Sequence, residues 1–365
     1  MKSADEKITV RQFQILIILG VIGDSILIMP MIMASYAKQD AWLSMLIATG
    51  AGLALGGLFA AAANKLRRAD SLIEASRKTL GGWLGSLVGL LFLFNFFMCS
   101  LTLLSEMSQF MTTQLMPETP INAIILIFLL VVILAYRYGI EAFSRMSELL
   151  FPAFVALFLF LVVLLLPQAE FPNLQPIAAN GFIPVFEAAF QATTVSFAEM
   201  VVLLSLAPHV SGDRKLTKPI ITSFLIGGVF LFTSVSLCVL VLGPNLMETK
   251  YYPTFVLAQK LTIGNFLERM EAIIAFLWMI TVFYKTLLLF YAVTAGIAHL
   301  FKLRESRMLT VPLGMIMLVL TVVGTPNIAV YNQIIKRYYP FFDVAFCILL
   351  PGLLLVGLAF ERRKG

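Results

Sequence analysis

The sequence predicts an all-α membrane protein that crosses the bilayer about ten times, in two groups of five helices entering from opposite sides. Three observations predict it. The first is composition: 60% of the 365 residues are hydrophobic and 13% charged, against roughly 45–50% and about 25% in soluble domains. The second is distribution. The apolar residues fall in blocks of about 20 or more, the length a helix needs to cross the hydrocarbon layer, and the charges sit between them. The blocks show no dyad alternation, which argues against a barrel, and lipid admits few other spanning structures than helices. The third is the placement of Lys and Arg. With the N-terminus in the cytoplasm, nineteen fall on the cytoplasmic side, six outside (Lys38, Lys250, Lys260, Arg269, Lys336 and Arg337) and one, Lys285, inside a block. That bias puts both termini inside and requires an even number of spans.

Ten spans are expected, at 12–34, 41–63, 83–113, 119–137, 142–166, 183–207, 218–243, 265–300, 308–325 and 338–360. A polar leader, Met1 to Arg11, precedes the first. No small-residue cleavage site follows it, so the first block is expected to remain as a helix. The third and eighth spans are long enough to tilt. Between the second and third, residues 69–80 place Leu72, Ile73, Ala75, Ser76 and Leu80 near one helical face, the pattern of a short interfacial helix. Residues 167–182, rich in proline and polar groups and without Lys or Arg, read as an outer loop, and 253–262 as a short outer helix. The spans divide into 12–166 and 183–360 within one transmembrane domain covering 1–365. Five is odd, so the halves are inverted, the plan of many secondary transporters.

The chemistry lies in the leading helix of each half. The first span reads Gly20-Val21-Ile22-Gly23-Asp24-Ser25 and reaches Pro30 a turn and a half later. The sixth carries Thr193, Thr194, Ser196 and Glu199 before Pro208. Glycine and proline weaken a helix by about 1 and 3 kcal/mol. Corresponding polar breaks in two halves are the sequence sign of a mid-membrane binding site. Asp24, Glu199 and Lys285 lie well inside spans. At a helix centre each costs about 2.5–3.5 kcal/mol, so they are expected to pair. Lys285 can face Asp24 or Glu199, and the sequence leaves open which. Asn95, Ser100, Gln191, Thr281 and Tyr284 are lesser cavity candidates. Glu106 and Glu148 read as interfacial, Asp343 as ambiguous, and His209 and His299 as surface residues at cytoplasmic ends.

Several functions are argued against. The net charge of +6 comes from helix ends and implies no nucleic-acid partner. Cys99, Cys238 and Cys347 sit in apolar blocks, where cysteine is a small hydrophobe rather than a disulfide or metal ligand. There is no phosphate-binding glycine loop, no clustered His, Cys and carboxylate set, and no Ser, His and Asp constellation. No enzyme, metal or cofactor is expected.

Along the chain stand Lys7-Ile-Thr-Val-Arg-Gln12, Gly23-Asp24-Ser25-Ile-Leu-Ile-Met-Pro30, Gln39-Asp40-Ala41-Trp42, Gly81-Gly82-Trp83-Leu84-Gly85 and Thr119-Pro120-Ile121. Then come Ser196-Phe197-Ala198-Glu199-Met200, and Glu268-Arg269-Met270-Glu271 with Trp278 and Phe283-Tyr284-Lys285. In this order the sequence resembles the spore germination permeases, the B subunits of nutrient germinant receptors in endospore-forming bacteria, of the amino acid–polyamine–organocation superfamily. The resemblance covers almost the whole chain. It implies a LeuT-like five-plus-five inverted repeat with helices 1 and 6 broken. It implies a pocket for a small germinant such as an amino acid, lined by Gly20, Val21, Ile22, Gly23, Asp24 and Ser25, and by Ser196, Phe197, Ala198 and Glu199 with Thr194 nearby. Asn95 and Cys99 would join from the third helix, and Tyr284 and Lys285 from the eighth. In sodium-coupled relatives a cation lies between the first and eighth helices, a place the Lys285 ammonium is expected to take. The resemblance further implies a membrane A subunit, a lipoprotein C subunit and the spore inner membrane. The competing expectation is a proton-coupled amino acid permease of the cell membrane.

Overall fold

The computed structural model describes residues 6–66, 71–212, 215–261, 270–325 and 327–361, the last four by backbone alone. Of the expectations above, Lys2, Arg67, Arg68, Arg214, Glu268, Arg269, the start of the eighth span and the basic 362–364 lie outside the described residues. Nine helical runs among those described are long and apolar enough to cross a membrane. The first, Val10–Leu66, has 57 residues, about 85 Å at 1.5 Å per residue and roughly twice a bilayer's thickness. It turns back at Lys38, whose φ is 49°. Asp40 beyond the turn accepts the Ala178 N–H on one face, and Asn64 bonds Leu216 and Thr217 on the other. The run therefore holds two spans, and the count is ten.

Thr9 caps α1 (Val10–Ile22): its hydroxyl accepts the Gln12 N–H at 3.1 Å, and the Gln12 side chain accepts the Thr9 N–H at 3.0 Å. The helix stops at Gly23, and α2 (Ser25–Ala37) begins again two residues on. Within α2, Pro30 has no N–H to offer the carbonyl four residues back, that of Ile26. In lipid no water can replace it. Thr254 does, donating to the Ile26 carbonyl at 2.7 Å, with Ser234 at 3.5 Å.

The first half continues through α3 (Ala41–Leu66), α4 (Leu72–Leu80), α5 (Gly82–Phe110, extended by a π turn to Leu115), α6 (Ile121–Tyr138) and α7 (Ile140–Leu165). The interfacial helix is α4, capped by Ser71 and burying Leu72, Ile73, Ala75 and Ser76. Gly85 lets α5 lie against it, since a Cβ there would come within 2.2 Å of the Ser76 carbonyl oxygen.

The sixth span is irregular. α8 (Ile183–Ala192) runs into a π turn at Thr193–Phe197, a 3-10 stretch at Ala198–Val202 and the short α9 (Leu203–Leu206). Then follow α10 (Thr217–Leu242), α11 (Pro244–Thr249), α12 (Pro253–Gln259), α13 (Glu271–Leu300) and α14 (Thr310–Gly324). The last are α15 (Ile328–Arg337), α16 (Tyr339–Asp343), a π turn, and α17 (Leu350–Glu361). Of the connecting helices, α12 was expected and α11 and α15 were not.

Packing follows the inversion. α3 lies on α10, α5 on α13 and α6 on α14, each helix against its counterpart, and α1 on α10 mirrors α8 on α3. Ile8 and Val210 form a parallel bridge, with Ile8 N–H bonded to His209 O and Ser211 N–H to Ile8 O, both at 2.9 Å. The start of the first span thus meets the end of the sixth, so the two run in opposite directions. The first, sixth and eighth spans are buried, whereas α6, α7 and α14 show Ile127, Val163 and Val323 to the outside.

The capping of Ile26 is testable. Thr254→Val leaves that carbonyl short of its main buried donor and should cost about 1–3 kcal/mol, a fall of several degrees in the unfolding midpoint in nanodiscs. Thr233→Val, which removes only an exposed bond within α10, should leave the midpoint unchanged.

Candidate functional site

The two broken helices meet at one ammonium. Lys285, midway along α13, places Nζ 2.6 Å from Asp24 Oδ1 and 2.5 Å from Glu199 Oε2, and donates to the Val195 carbonyl at 3.3 Å. The choice the sequence left open is resolved: the lysine faces both acids. Asp24, Glu199 and Lys285 are 4%, 2% and 1% exposed, so the three charges share a dry site, where an unpaired one would cost several kcal/mol.

Local sequence explains the geometry. Gly23 has φ 35°, and a Cβ there would stand 2.6 Å from Lys285 Cδ and 2.7 Å from the Gly20 carbonyl oxygen. Glycine lets the lysine stem pass the break and lets the chain turn. At Gly20 a Cβ would meet the Met200 thioether at 2.7 Å, so this glycine lets the first span approach the 3-10 stretch of the sixth. The freed Gly23 carbonyl accepts the Thr281 hydroxyl at 2.7 Å. Ser196 donates to Ser25 at 2.8 Å, joining the breaks directly. The Gly23 and Val195 carbonyls at the two breaks are each met by a side chain of the eighth span, in a membrane interior where water cannot serve them.

The expected site residues divide. Gly20, Gly23, Asp24, Ser25, Ser196, Glu199 and Lys285 converge. Val21 points at Gly227 of α10, and Phe197 lies over Gly52 and beside Phe224, both turned from the lysine. Ile22 and Ala198 are core residues. Thr194 bonds back to the Gln191 carbonyl, and Ser100 to that of Phe96. Tyr284 is buried beside Phe283, its hydroxyl without a hydrogen-bond partner among the described residues. Asn95 and Cys99 are not among the lysine's bonded partners; they gather with Cys347 and Asp343 beside Glu199.

Four readings change. Glu106 is not interfacial: it is 1% exposed and accepts the Tyr331 hydroxyl at 3.0 Å, because α15, which was not expected, packs against α5 there. Asp343, ambiguous in sequence, is fully buried. His209 is half-buried, bonded to Tyr291 at 2.9 Å. Finally, Cys99, Glu199 and Asp343, scattered in sequence, form a cluster that the search for metal-ligand spacing missed. Glu148 does sit at the edge, paired with Arg11 at 3.2 Å.

The residues of the break are all buried. A small cleft of about 30 Å³ lies elsewhere, on the face bearing the N-terminus, between Ile73, Phe92, Ser205, His209 and Tyr291. On the opposite face Phe110 packs among Tyr252, Phe255 and Trp278 at 4.6–5.3 Å.

Known proteins resemble this chain over nearly its full length. A family model described as spore germination protein matches residues 7–329. Spore germination protein KB of Bacillus subtilis is 27% identical over 98% of this chain and 96% of its own. Spore germination protein YndE of the same organism is 25% identical over 83% of each, and spore germination protein XB of Bacillus anthracis 24% over 77% and 79%. Among solved structures, the nucleobase-cation-symport-1 family transporter Mhp1, closed with bromovinylhydantoin bound, superposes with a TM-score of 0.65. It covers 97% of this chain and 78% of its own at 14% identity. MhsT in complex with L-phenylalanine gives 0.59, with 97% and 99% covered at 15% identity. The fold is LeuT-like, with helices 1 and 6 broken.

If Lys285 holds both carboxylates, Lys285→Met should cost about 3–5 kcal/mol, read as a lowered midpoint in nanodiscs. Adding Asp24→Asn and Glu199→Gln to Lys285→Met should restore part of it. A Lys285→Met protein as stable as the parent would show that the acids are neutralised by other means.

Proposed function

The chain belongs to the spore germination protein family, and on that footing we propose that it is the B subunit of a nutrient germinant receptor. It binds a small zwitterion such as an amino acid at the break between helices 1 and 6 and passes the event on as a change of shape. The observation that carries this reading is the Lys285 ammonium held between Asp24 and Glu199.

That arrangement can exchange partners with a zwitterion. With all three side chains ionised the cluster carries one net negative charge. An amino acid brings one charge of each sign. Its carboxylate takes Lys285 and the N-terminal end of α2, where helix amides favour anions. Its ammonium takes Glu199. The buried net charge is unchanged, so the swap avoids the penalty that a lone anion or cation would meet. On this reading the lysine ammonium stands in for a coupling cation, so binding needs no sodium. Losing the internal ion pairs frees the broken helices to shift. Ligand binding then selects a second conformation, to the extent of its differential affinity.

A membrane A subunit and a lipoprotein C subunit would read that shift in the spore inner membrane, with both termini of this chain cytoplasmic. The integral, multi-pass character of the chain supports this setting.

Labelled amino acids presented to the chain in liposomes, with binding and uptake measured together, decide the matter. Binding without uptake is expected, independent of sodium, lost in Glu199→Gln and Lys285→Met, and weakened when the ligand's carboxylate is replaced by an amide. Uptake driven by a proton gradient would instead make the chain a permease. Ligand amides binding as well as the acids would refute the exchange.

A further inference from the structure

Glu199 also belongs to a second cluster. Cys99 of α5, Glu199 and Asp343 of α16 offer one sulfur and two carboxylate oxygens that all lie within 4.8 Å of one another. The three residues are 0%, 2% and 0% exposed. Cys347, one turn beyond Asp343, sits with Sγ 3.9 Å from Asp343 Oδ1. Asn95, one turn before Cys99, donates to Cys347 Sγ at 3.3 Å and lies 3.8 Å from Cys99 Sγ. Asp343 has no ion pair among the described residues, and its Oδ2 has no hydrogen-bond partner. A buried carboxylate oxygen without a partner leaves a desolvation cost unanswered. The nearby ammonium is already shared between Asp24 and Glu199.

We propose that Cys99, Glu199 and Asp343 bind a divalent transition ion of the zinc type, with Cys347 available as a fourth ligand. The donor set selects the class. Calcium and magnesium take oxygen ligands alone, whereas a thiolate with carboxylates suits a borderline ion. Around tetrahedral zinc, ligand atoms at 2.0–2.3 Å from the metal stand about 3.5 Å apart, so the cluster closes by roughly 1 Å on binding. Two of the three ligands sit on yielding backbone: Glu199 in a 3-10 stretch, and Asp343 immediately before the π turn Val344–Leu349. Binding breaks the Cys99 S–H bond and forms a metal–sulfur bond. The proton leaves to solvent and no atom changes oxidation state. The ion would tie the third, sixth and tenth spans together and draw Glu199 toward it, next to the break at which Lys285 sits. This site goes beyond the germinant reading and does not depend on it.

The test uses the full chain in lipid nanodiscs with Co²⁺ as the probe and Zn²⁺ content as a second measure. Wild type should take up about one ion per chain and show a thiolate-to-cobalt charge-transfer band with tetrahedral visible bands. Cys99→Ser should abolish the charge-transfer band or displace it. Asp343→Asn should weaken affinity roughly tenfold or more. Cys238→Ser, whose thiol lies apart beside Thr254, should leave the spectrum unchanged. Lys285→Met, outside the donor set, should keep the ion while losing germinant binding, so the two readings fail separately. Folded wild type that takes up neither cobalt nor zinc overturns the proposal, whatever the variants do. So does a band that survives Cys99→Ser with Asp343→Asn.

Discussion

One cation between two carboxylates, out of reach of water, is the interaction on which the rest of the centre depends. Lys285 touches the first helix through Asp24 and the sixth through Glu199 and the Val195 carbonyl. Removing the ammonium would leave two buried carboxylates without their counter-charge. The surrounding features answer problems the arrangement creates. Gly23 is glycine because the lysine stem passes where a Cβ would be. Thr281, Thr254 and Ser196 are hydroxyls because the breaks and Pro30 release backbone and side-chain groups that lipid will not solvate.

How much of this was legible follows from the range of each signal. Spans are local: about 20 apolar residues announce themselves, and the expected boundaries of the fourth, seventh and ninth fall within two residues of those observed. The breaks were legible too, because Gly23, Asp24 and Glu199 are wrong residues for an apolar block. Helix rotation was not. Six consecutive residues, Gly20 to Ser25, were assigned to one pocket, but side chains on a helix advance by 100° each. Val21 accordingly faces α10 while Asp24 faces Lys285. The Cys99, Glu199 and Asp343 cluster draws on three spans far apart in sequence, and no spacing rule joins them. Glu106 was misplaced because the helix that covers it, α15, comes from the far end of the chain and brings Tyr331 onto its carboxylate. α15 escaped because its ten residues are amphipathic and lie between hydropathic blocks.

The two seals of the closed centre differ in kind, and that difference bears on how a LeuT-like fold can serve as a sensor. On the face bearing the N-terminus the seal is backbone. The Ile8–Val210 bridge ties the start of the first helix to the end of the sixth, backed by His209 on Tyr291. On the opposite face side chains make it: Phe110 among Tyr252, Phe255 and Trp278, and the bonds of Tyr331 to Glu106, Gln191 to the Lys336 carbonyl and Gln109 to the Thr325 carbonyl. Local opening costs least where few contacts must break together. A transporter must open each side in turn, which asks for seals of similar strength. A sensor needs one side to admit its ligand while the other holds, so that the strain of rearranging Lys285 travels into the bundle instead of releasing the ligand through it. On the proposed reading as a sensor, a backbone bridge on one face and separable side-chain contacts on the other would suit the second task.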